Sequence, residues 1–231
     1  MQPGFAMTAK RALVPSWALA RPKPAWQSLY DLCLAPARMI VLPDTASERL
    51  HLTSLRAERF SMALPYLRGR VIDVGAGDNM LLRLYLAASG GVDPAAKGSA
   101  GIDVVDWGGD CVLVKNTARL PFPRASVDTV SFIACLNHIP ERRSALQEAA
   151  RILRPGGRVV ATMIGRGLGK IGHALWWYSE DKQRDLNPHE EMGLDPAEMI
   201  ELLSGAGLDV RPPLRFCHGL NRLYIAEKPL R

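Results

Sequence analysis

The sequence predicts an α/β fold in which helices cover both faces of a mostly parallel sheet. Three observations carry this expectation. From Arg70 onward, short apolar runs alternate with amphipathic stretches, the texture of parallel strands joined by crossover helices. Gly, Pro or Asp separates the runs, residues that punctuate element ends. The last two runs, Pro213 to Cys217 and Leu220 to Glu227, are joined only across His218 and Gly219, so the chain closes on an antiparallel hairpin.

In order along the chain, residues 1–25 combine Pro3, Pro15, Pro22 and Pro24 with Lys10, Arg11, Arg21 and Lys23 and contain no acidic residue, which predicts a disordered basic arm. From Trp26 to about Tyr66, Leu29, Leu32, Cys33, Ala37 and Ile40 recur at helical spacing, and Leu50, Leu52, Leu55, Phe60 and Leu64 do so again. Two helices broken near Pro43 are expected, forming a cover (26–66) over the main domain (67–231). Strands are predicted at Arg70 to Val74, Ala100 to Val104, Cys111 to Val114, Thr129 to Cys135 and Arg158 to Met163, and the hairpin brings the sheet to seven. Helices are predicted at Met80 to Ala88, Arg142 to Leu153 and Pro196 to Ala206. Asp195 is the N-cap candidate of the last, with Pro196 at its first position and Gly207 at its end. Arg154-Pro155-Gly156-Gly157 is expected to stop one helix and turn the chain into the next strand.

Composition narrows the function. The chain has 231 residues, 48% of them hydrophobic and 23% charged, as expected of one globular core. The net charge is +6, but Lys and Arg are scattered singly or in pairs, which argues against a nucleic-acid surface. Cys33, Cys111, Cys135 and Cys217 have neither CxxC spacing nor the density of a stapled secreted domain, so neither metal nor disulfides are expected and a reduced, cytoplasmic protein fits. Lys10 and Arg11 before Ala12 to Ala20 imitate a signal peptide, but Pro15 and Trp17 interrupt the stretch. No run approaches the ~20 apolar residues of a membrane span.

The chemistry is written most clearly at Val71-Ile72-Asp73-Val74-Gly75-Ala76-Gly77-Asp78-Asn79, a buried strand entering a glycine turn and then a helix. Glycine lets a ligand approach the backbone, and the helix N-terminus supplies unpaired N–H groups. A dinucleotide fingerprint needs a third Gly where Met80 stands, and no Gly-Lys-Ser/Thr follows for a phosphate-cradling loop. What remains is Asp-x-Gly-x-Gly, with a carboxylate at the strand end able to hold a ligand ammonium directly or through water.

This run resembles motif I of class I S-adenosylmethionine-dependent methyltransferases, a family with a Rossmann-like sheet to which a terminal hairpin is added. Gly101-Ile102-Asp103 resembles the acidic end of the second strand, and Asn116-Thr117-Ala118-Arg119-Leu120-Pro121-Phe122 the adenine-contacting loop. Ser126-Val127-Asp128-Thr129-Val130 through Asn137-His138-Ile139 resembles the fourth strand and its loop, and Glu148 to Gly157 the segment before the fifth strand. The resemblance covers about residues 68–229 and is closest to the quinone-biosynthesis-like group. It implies S-adenosylmethionine as cofactor, held by Asp73, Gly75, Gly77, Asn79, Asp103, Asn116, Thr117 and Cys135. Asn79 replaces a frequent third Gly, and Asn116 stands where an Asp commonly accepts the adenine amino group, a bond its carbonyl oxygen can also accept. The interval from Asp73 to Asp103 exceeds the commonest spacing by about ten residues, which leaves Asp93 and Asp106 as alternatives to Asp103 for the ribose.

A sulfonium methyl is already activated, so the protein need only align the acceptor and exclude water. His138, after the fourth strand, is the candidate general base; Asn137 and His138 could equally shape the turn before Pro140. Asn137, Trp176, Trp177 and Tyr178 are candidate contacts for a small, partly apolar or aromatic acceptor, the aromatic run lying in an insertion at about 164–194. Ordinary packing of an inserted helix is the other reading. The bulky residues Leu29, Leu32, Leu34, Met39 and Ile40 beside the basic arm allow a weak membrane-surface association. Oligomeric state is not legible. The competing functions are a cofactor-binding regulatory protein with weakened transfer, suggested by Asn79 and Asn116, and a nicotinamide-dependent oxidoreductase, which Met80 and the terminal hairpin oppose.

Overall fold

β-Branched and aliphatic residues at Val71, Ile72 and Val74 commit the first strand to burial on both faces, as an interior parallel strand requires. A computed structural model describes residues 24–89, 96–165 and 193–230. Its strands are β1 (Val71–Val74), β2 (Ala100–Asp103), β3 (Val112–Leu113), β4 (Val127–Ile133), β5 (Leu153–Ile164), β6 (Asp209–Val210), β7 (Leu214–Phe216) and β8 (Asn221–Glu227). They form one sheet in the order β3-β2-β1-β4-β5-β8-β6, with β7 also on β8. The first five pair in parallel and β8 runs antiparallel to β5, with Arg158 opposite Glu227 and Ile164 opposite Asn221.

The expectation of seven strands is corrected to eight in seven positions. β6 and β7 lie end to end along the same edge of β8, where Val210 faces Ala226 and Leu214 faces Leu223. Arg211 still donates its N–H to the Ile225 carbonyl at 2.9 Å. Pro212 and Pro213 then have no N–H to give, and the strand splits. A second correction concerns Arg154 to Gly157. Leu153 already pairs with Val127, and the next pair is Arg158 with Thr129, so the segment bulges within β5 instead of preceding it. Gly156 takes a left-handed φ of +74° there.

The helices are α1 (Ala25–Cys33), α2 (Asp44–Arg49), α3 (Leu55–Ala63), α4 (Met80–Ser89), α5 (Arg142–Ile152) and α6 (Pro196–Gly205). The two expected N-terminal helices are therefore three, with a π-helical turn at Ala37–Val41 and a 3-10 turn at Leu64–Tyr66. The break at Pro43 is observed, and a further one falls before Ser54, whose hydroxyl accepts the Ala57 N–H and caps α3. Asp195 occupies the N-cap position of α6 with extended backbone, but its side chain makes no cap bond.

Strand alternation divides the core between the two faces. Val159, Ala161 and Met163 of β5 and Tyr224 and Ala226 of β8 pack with α5 and α6. Val160, Leu223 and Ile225 pack with α3 and α4. On β1, Ile72 and Val74 take the first face and Val71 the second, so the period of two assigns Asp73 to the side of α3 and α4. The sheet reverses order between β1 and β4, the place where open α/β sheets leave a crevice beyond their strand ends. Residues 1–23, the rival Asp93 and the whole run from His173 to Glu191, with Trp176, Trp177 and Tyr178, lie outside the described residues.

Candidate functional site

A cavity of about 650 Å³ opens at this crevice, a volume suited to a nucleoside-sized ligand. Asp73, Gly75, Gly77, Asp103, Asn116, Thr117, Cys135 and His138 all line it. Eight positions spread over more than sixty residues of sequence thus converge because β1, β2 and β4 end side by side.

The glycine turn is built tightly. Gly75 and Gly77 have φ of +70° and +56°, a region side chains rarely occupy. A Cβ on Gly75 would lie 2.6 Å from the Cys135 Cβ, whereas one on Gly77 would meet nothing within 4 Å. Gly75 is therefore required by packing against Cys135, just beyond β4, and Gly77 leaves open space in the cavity wall. The Gly77 N–H donates to Asp103 Oδ2 at 2.9 Å, tying the turn to the end of β2. Asp103 Oδ1 accepts the N–H groups of Val104 and Val105. This buried carboxylate is held in place by backbone donors and still presents lone pairs to the cavity.

Asp73 is also buried, and its Oδ1 accepts the Ser131 hydroxyl at 2.7 Å. Burial pushes its carboxyl up to about 7, with the charge of Asp103 adding to the rise. A cation placed beside the two carboxylates would relieve both effects. Cys135 donates its thiol to the Val74 carbonyl at 2.9 Å, which fixes the end of β4 against the turn. None of the four cysteines is in a disulfide. Among the described residues no group of three or more His, Cys, Asp and Glu could hold a metal ion.

Two expected site residues do not line the cavity. Asn79 sits behind the turn with φ of +61°, buried, its Oδ1 without a hydrogen-bond partner. A Cβ on Gly101 would fall 2.3 Å from that oxygen. The side chain fills the gap between the turn and β2 and lies outside the cavity lining. Asn137 is likewise buried and stands behind His138, its amide donating to His138 Nε2 at 3.1 Å. In that bond the Nε2 lone pair accepts the Asn137 N–H and is engaged within the protein. Asn116 Oδ1 accepts the Ala118 N–H at 2.7 Å, so it shapes its own loop as well as facing the cavity. Asp106 caps a turn through the Gly108 N–H, is exposed and is not among the lining residues.

The structure adds residues that the sequence reading missed. Asp44, Arg56, Arg59 and Phe60 reach the cavity from α2 and α3. Arg56 pairs with Asp78 and lies 5.1 Å from the Phe60 ring centre. Arg59 has a buried Nε with no partner, and Asp44 a buried Oδ1 with none. Trp107, Ile133, Ile139 and Pro140 supply apolar wall. No periodic pattern marks these positions, because only the docking of the cover on the sheet brings them to the site.

The Glu-x-x-Arg segment has a mechanical role. Glu148 accepts the Leu120 N–H at 2.9 Å and two bonds from Arg151, while Arg151 donates to the Phe122 carbonyl at 2.7 Å. The pair clamps the 116–122 loop to α5. At the other end of the sheet, Asp128 accepts the Arg70 N–H and pairs with Arg154, a bond set remote from the cavity.

Comparisons with known proteins agree with this geometry. Residues 72–161 match the family described as "Methyltransferase domain". A protein of Mycolicibacterium smegmatis described as a probable S-adenosylmethionine-dependent methyltransferase is 34% identical over 104 residues, 45% of this chain and 37% of its own length. The chain thus spans well under half of that relative. The ubiquinone/menaquinone biosynthesis C-methyltransferase UbiE of Burkholderia mallei is 25% identical over 214 residues, covering 81% of this chain and 86% of its own. Among solved structures, a complex of the Haloferax volcanii Trm112 methyltransferase activator contains a chain matched at a TM-score of 0.57 and 19% identity, over 87% of this chain and 97% of that one. That likeness establishes the Rossmann-like fold.

Proposed function

Since the chain carries a class I S-adenosylmethionine-dependent methyltransferase domain, we propose that it transfers a methyl group to a small, partly apolar acceptor lodged beside the cofactor. The observation that carries this reading is the presence in one cavity of two buried carboxylates, Asp73 and Asp103, on either side of a glycine turn with no side chain to fill the space.

The walls offer a partner for each polar part of S-adenosylmethionine. Asp103, immobilised by three backbone N–H groups, would accept the ribose hydroxyls. Asn116 and Thr117, with the Trp107 ring on the same cavity wall, would hold the purine. Asp73 would take the ammonium, and the Arg59 guanidinium the carboxylate. When bound, the sulfonium supplies a methyl group already activated for attack.

The remaining work falls to the chain. Ile133, Ile139, Pro140 and Phe60 keep water from the acceptor side. His138 is the proposed base for an acceptor that arrives protonated; its Nε2 lone pair accepts the Asn137 amide, so the ring exchanges that bond for the acceptor's proton. The aromatic run Trp176 to Tyr178 remains a proposed acceptor contact.

The test is mass spectrometry of a small-molecule extract of the host, incubated with purified protein and S-adenosylmethionine. The proposal expects at least one compound to gain a methyl mass, with S-adenosylhomocysteine formed in equal amount. Tight cofactor binding with no such product would favour the regulatory reading instead.

A further inference from the structure

Helix α1 is inside out. Its buried residues are Gln27 and Asp31, both polar. They bond to each other at 3.0 Å, Gln27 donates to the His51 carbonyl, and Asp31 accepts the Thr53 N–H. Buried Arg38 reaches the Asp31 carbonyl, the Thr53 carbonyl and Glu58. The polar network docks the helix on the rest of the cover and leaves its apolar residues facing outward. Trp26 is 68% exposed, Leu29 62% and Leu32 51%, and Cys33 and Leu34 are exposed beside them. Tyr30 bonds through its hydroxyl to the Leu50 carbonyl, which brings the 54%-exposed Leu50 against the same surface. The one charged residue of α1 is Asp31, which is fully buried, so no charge interrupts the outer face. A surface helix of a water-soluble protein has the opposite arrangement, and a contiguous bulky apolar face of this kind marks a docking surface.

We propose that this face docks on the surface of a bilayer containing anionic lipids. The flanking sequence decides between occupants. Residues 1–24 carry Lys10, Arg11, Arg21 and Lys23 without one acidic residue, and the whole chain has a net charge of +6. Two copies meeting through α1 would bring two such basic segments together, whereas an anionic membrane surface attracts them while accepting Trp26, Leu29 and Leu32 at the headgroup boundary. Trp26 and Tyr30, each with an apolar ring and a polar atom, suit that boundary. The same cover contributes Asp44, Arg56, Arg59 and Phe60 to the cavity, so docking would set the acceptor side of the site close to molecules dissolved in the lipid. Docking itself involves no cofactor, and its test stands apart from that of methyl transfer.

The experiment is flotation of the full-length protein with phosphatidylcholine vesicles, with and without phosphatidylglycerol, alongside W26S/L29S/L32S and K10E/R11E/R21E/K23E variants. Thermal melts and cofactor titration serve as folding controls. The wild type floats with the anionic vesicles and is released by salt. Each variant partitions about tenfold less, with melting and cofactor affinity unchanged. A wild type that remains in solution with every vesicle overturns the proposal. So does a W26S/L29S/L32S variant that floats like the wild type, or a wild-type dimer that this variant dissociates, which would give the face to a second copy.

Discussion

The Ser131 hydroxyl donates to the Asp73 carboxylate at 2.7 Å, across a β1–β4 pair in which the two residues stand directly opposite each other. One donor does not offset complete burial, and the Asp73 carboxyl is pushed up to about 7. The folded state therefore holds a proton that the unfolded chain releases near the ordinary value of 3.8. Stability from this group is complete below that value and is lost as pH rises through about 7. Cofactor affinity should move the other way, because an ammonium binds the ionised carboxylate. Calorimetric titration with S-adenosylmethionine should show tighter binding at about pH 8 than at about pH 6, with proton release on binding. Asp73→Asn should bind more weakly and lose the Asp73 part of that pH dependence. Glu48 in the cover is also raised to about 7, chiefly by burial, so melting curves would mix the two groups and binding is the proper readout. Equal pH dependence in wild type and Asp73→Asn would remove Asp73 from the ammonium.

Asp103→Ala should weaken cofactor binding by roughly 10- to 100-fold while the fold is retained, since a charged hydrogen-bond acceptor is lost. The variant also frees the Gly77, Val104 and Val105 N–H groups, so Asp103→Asn, which keeps acceptor capacity, should lose less. Titration with adenosine checks the ribose contact separately from the methionine end. Unchanged affinity in Asp103→Ala would transfer the contact to Asp93 or Asp106.

Gly101 and Asn79 should be coupled. Gly101→Ala puts a Cβ 2.3 Å from Asn79 Oδ1 and 2.9 Å from the Ala76 Cβ, at an expected cost of about 1–3 kcal/mol. Asn79→Gly removes a side chain from a left-handed position and should change stability by no more than about 1 kcal/mol. The double variant should recover much of the loss, though the Ala76 contact remains. Strict additivity in urea unfolding would show that Asn79 does not pack as described.

Arg59→Gln should reduce affinity for S-adenosylmethionine about tenfold and leave that for its decarboxylated analogue unchanged, because the guanidinium is assigned to the carboxylate. Equal losses for both ligands would mean that Arg59 acts on the cavity wall as a whole.

Much of this architecture was legible because strands buried on both faces read as short apolar runs and glycine turns break them visibly. Val71 to Gly77 showed both the strand and the turn, and the ends of β2 and β4 followed in order. The cover was legible only as helix. The spacing of Leu29, Leu32 and Cys33 marks α1 correctly, but periodicity cannot say that Gln27 and Asp31 take the inner side; that depends on Thr53, His51 and Arg38 arriving from later segments. Arg59 and Asp44 were hidden for the same reason, since tertiary docking alone carries them to the cavity. The split of the outermost strand turned on Pro212 and Pro213, two missing donors that a hairpin reading passes over. Glu148 and Arg151 were recognisable as a motif, but their grip on Leu120 and Phe122 is a long-range contact.

A crystal structure of the protein grown with saturating S-adenosylhomocysteine decides where the nucleoside binds. The nucleoside is expected over the Gly75–Gly77 turn, with its ribose hydroxyls on Asp103 and its amino group on Asp73. Density for the nucleoside at another place, or a cavity left without it under those conditions, would take the cofactor away from Asp73, Asp103 and the glycine turn.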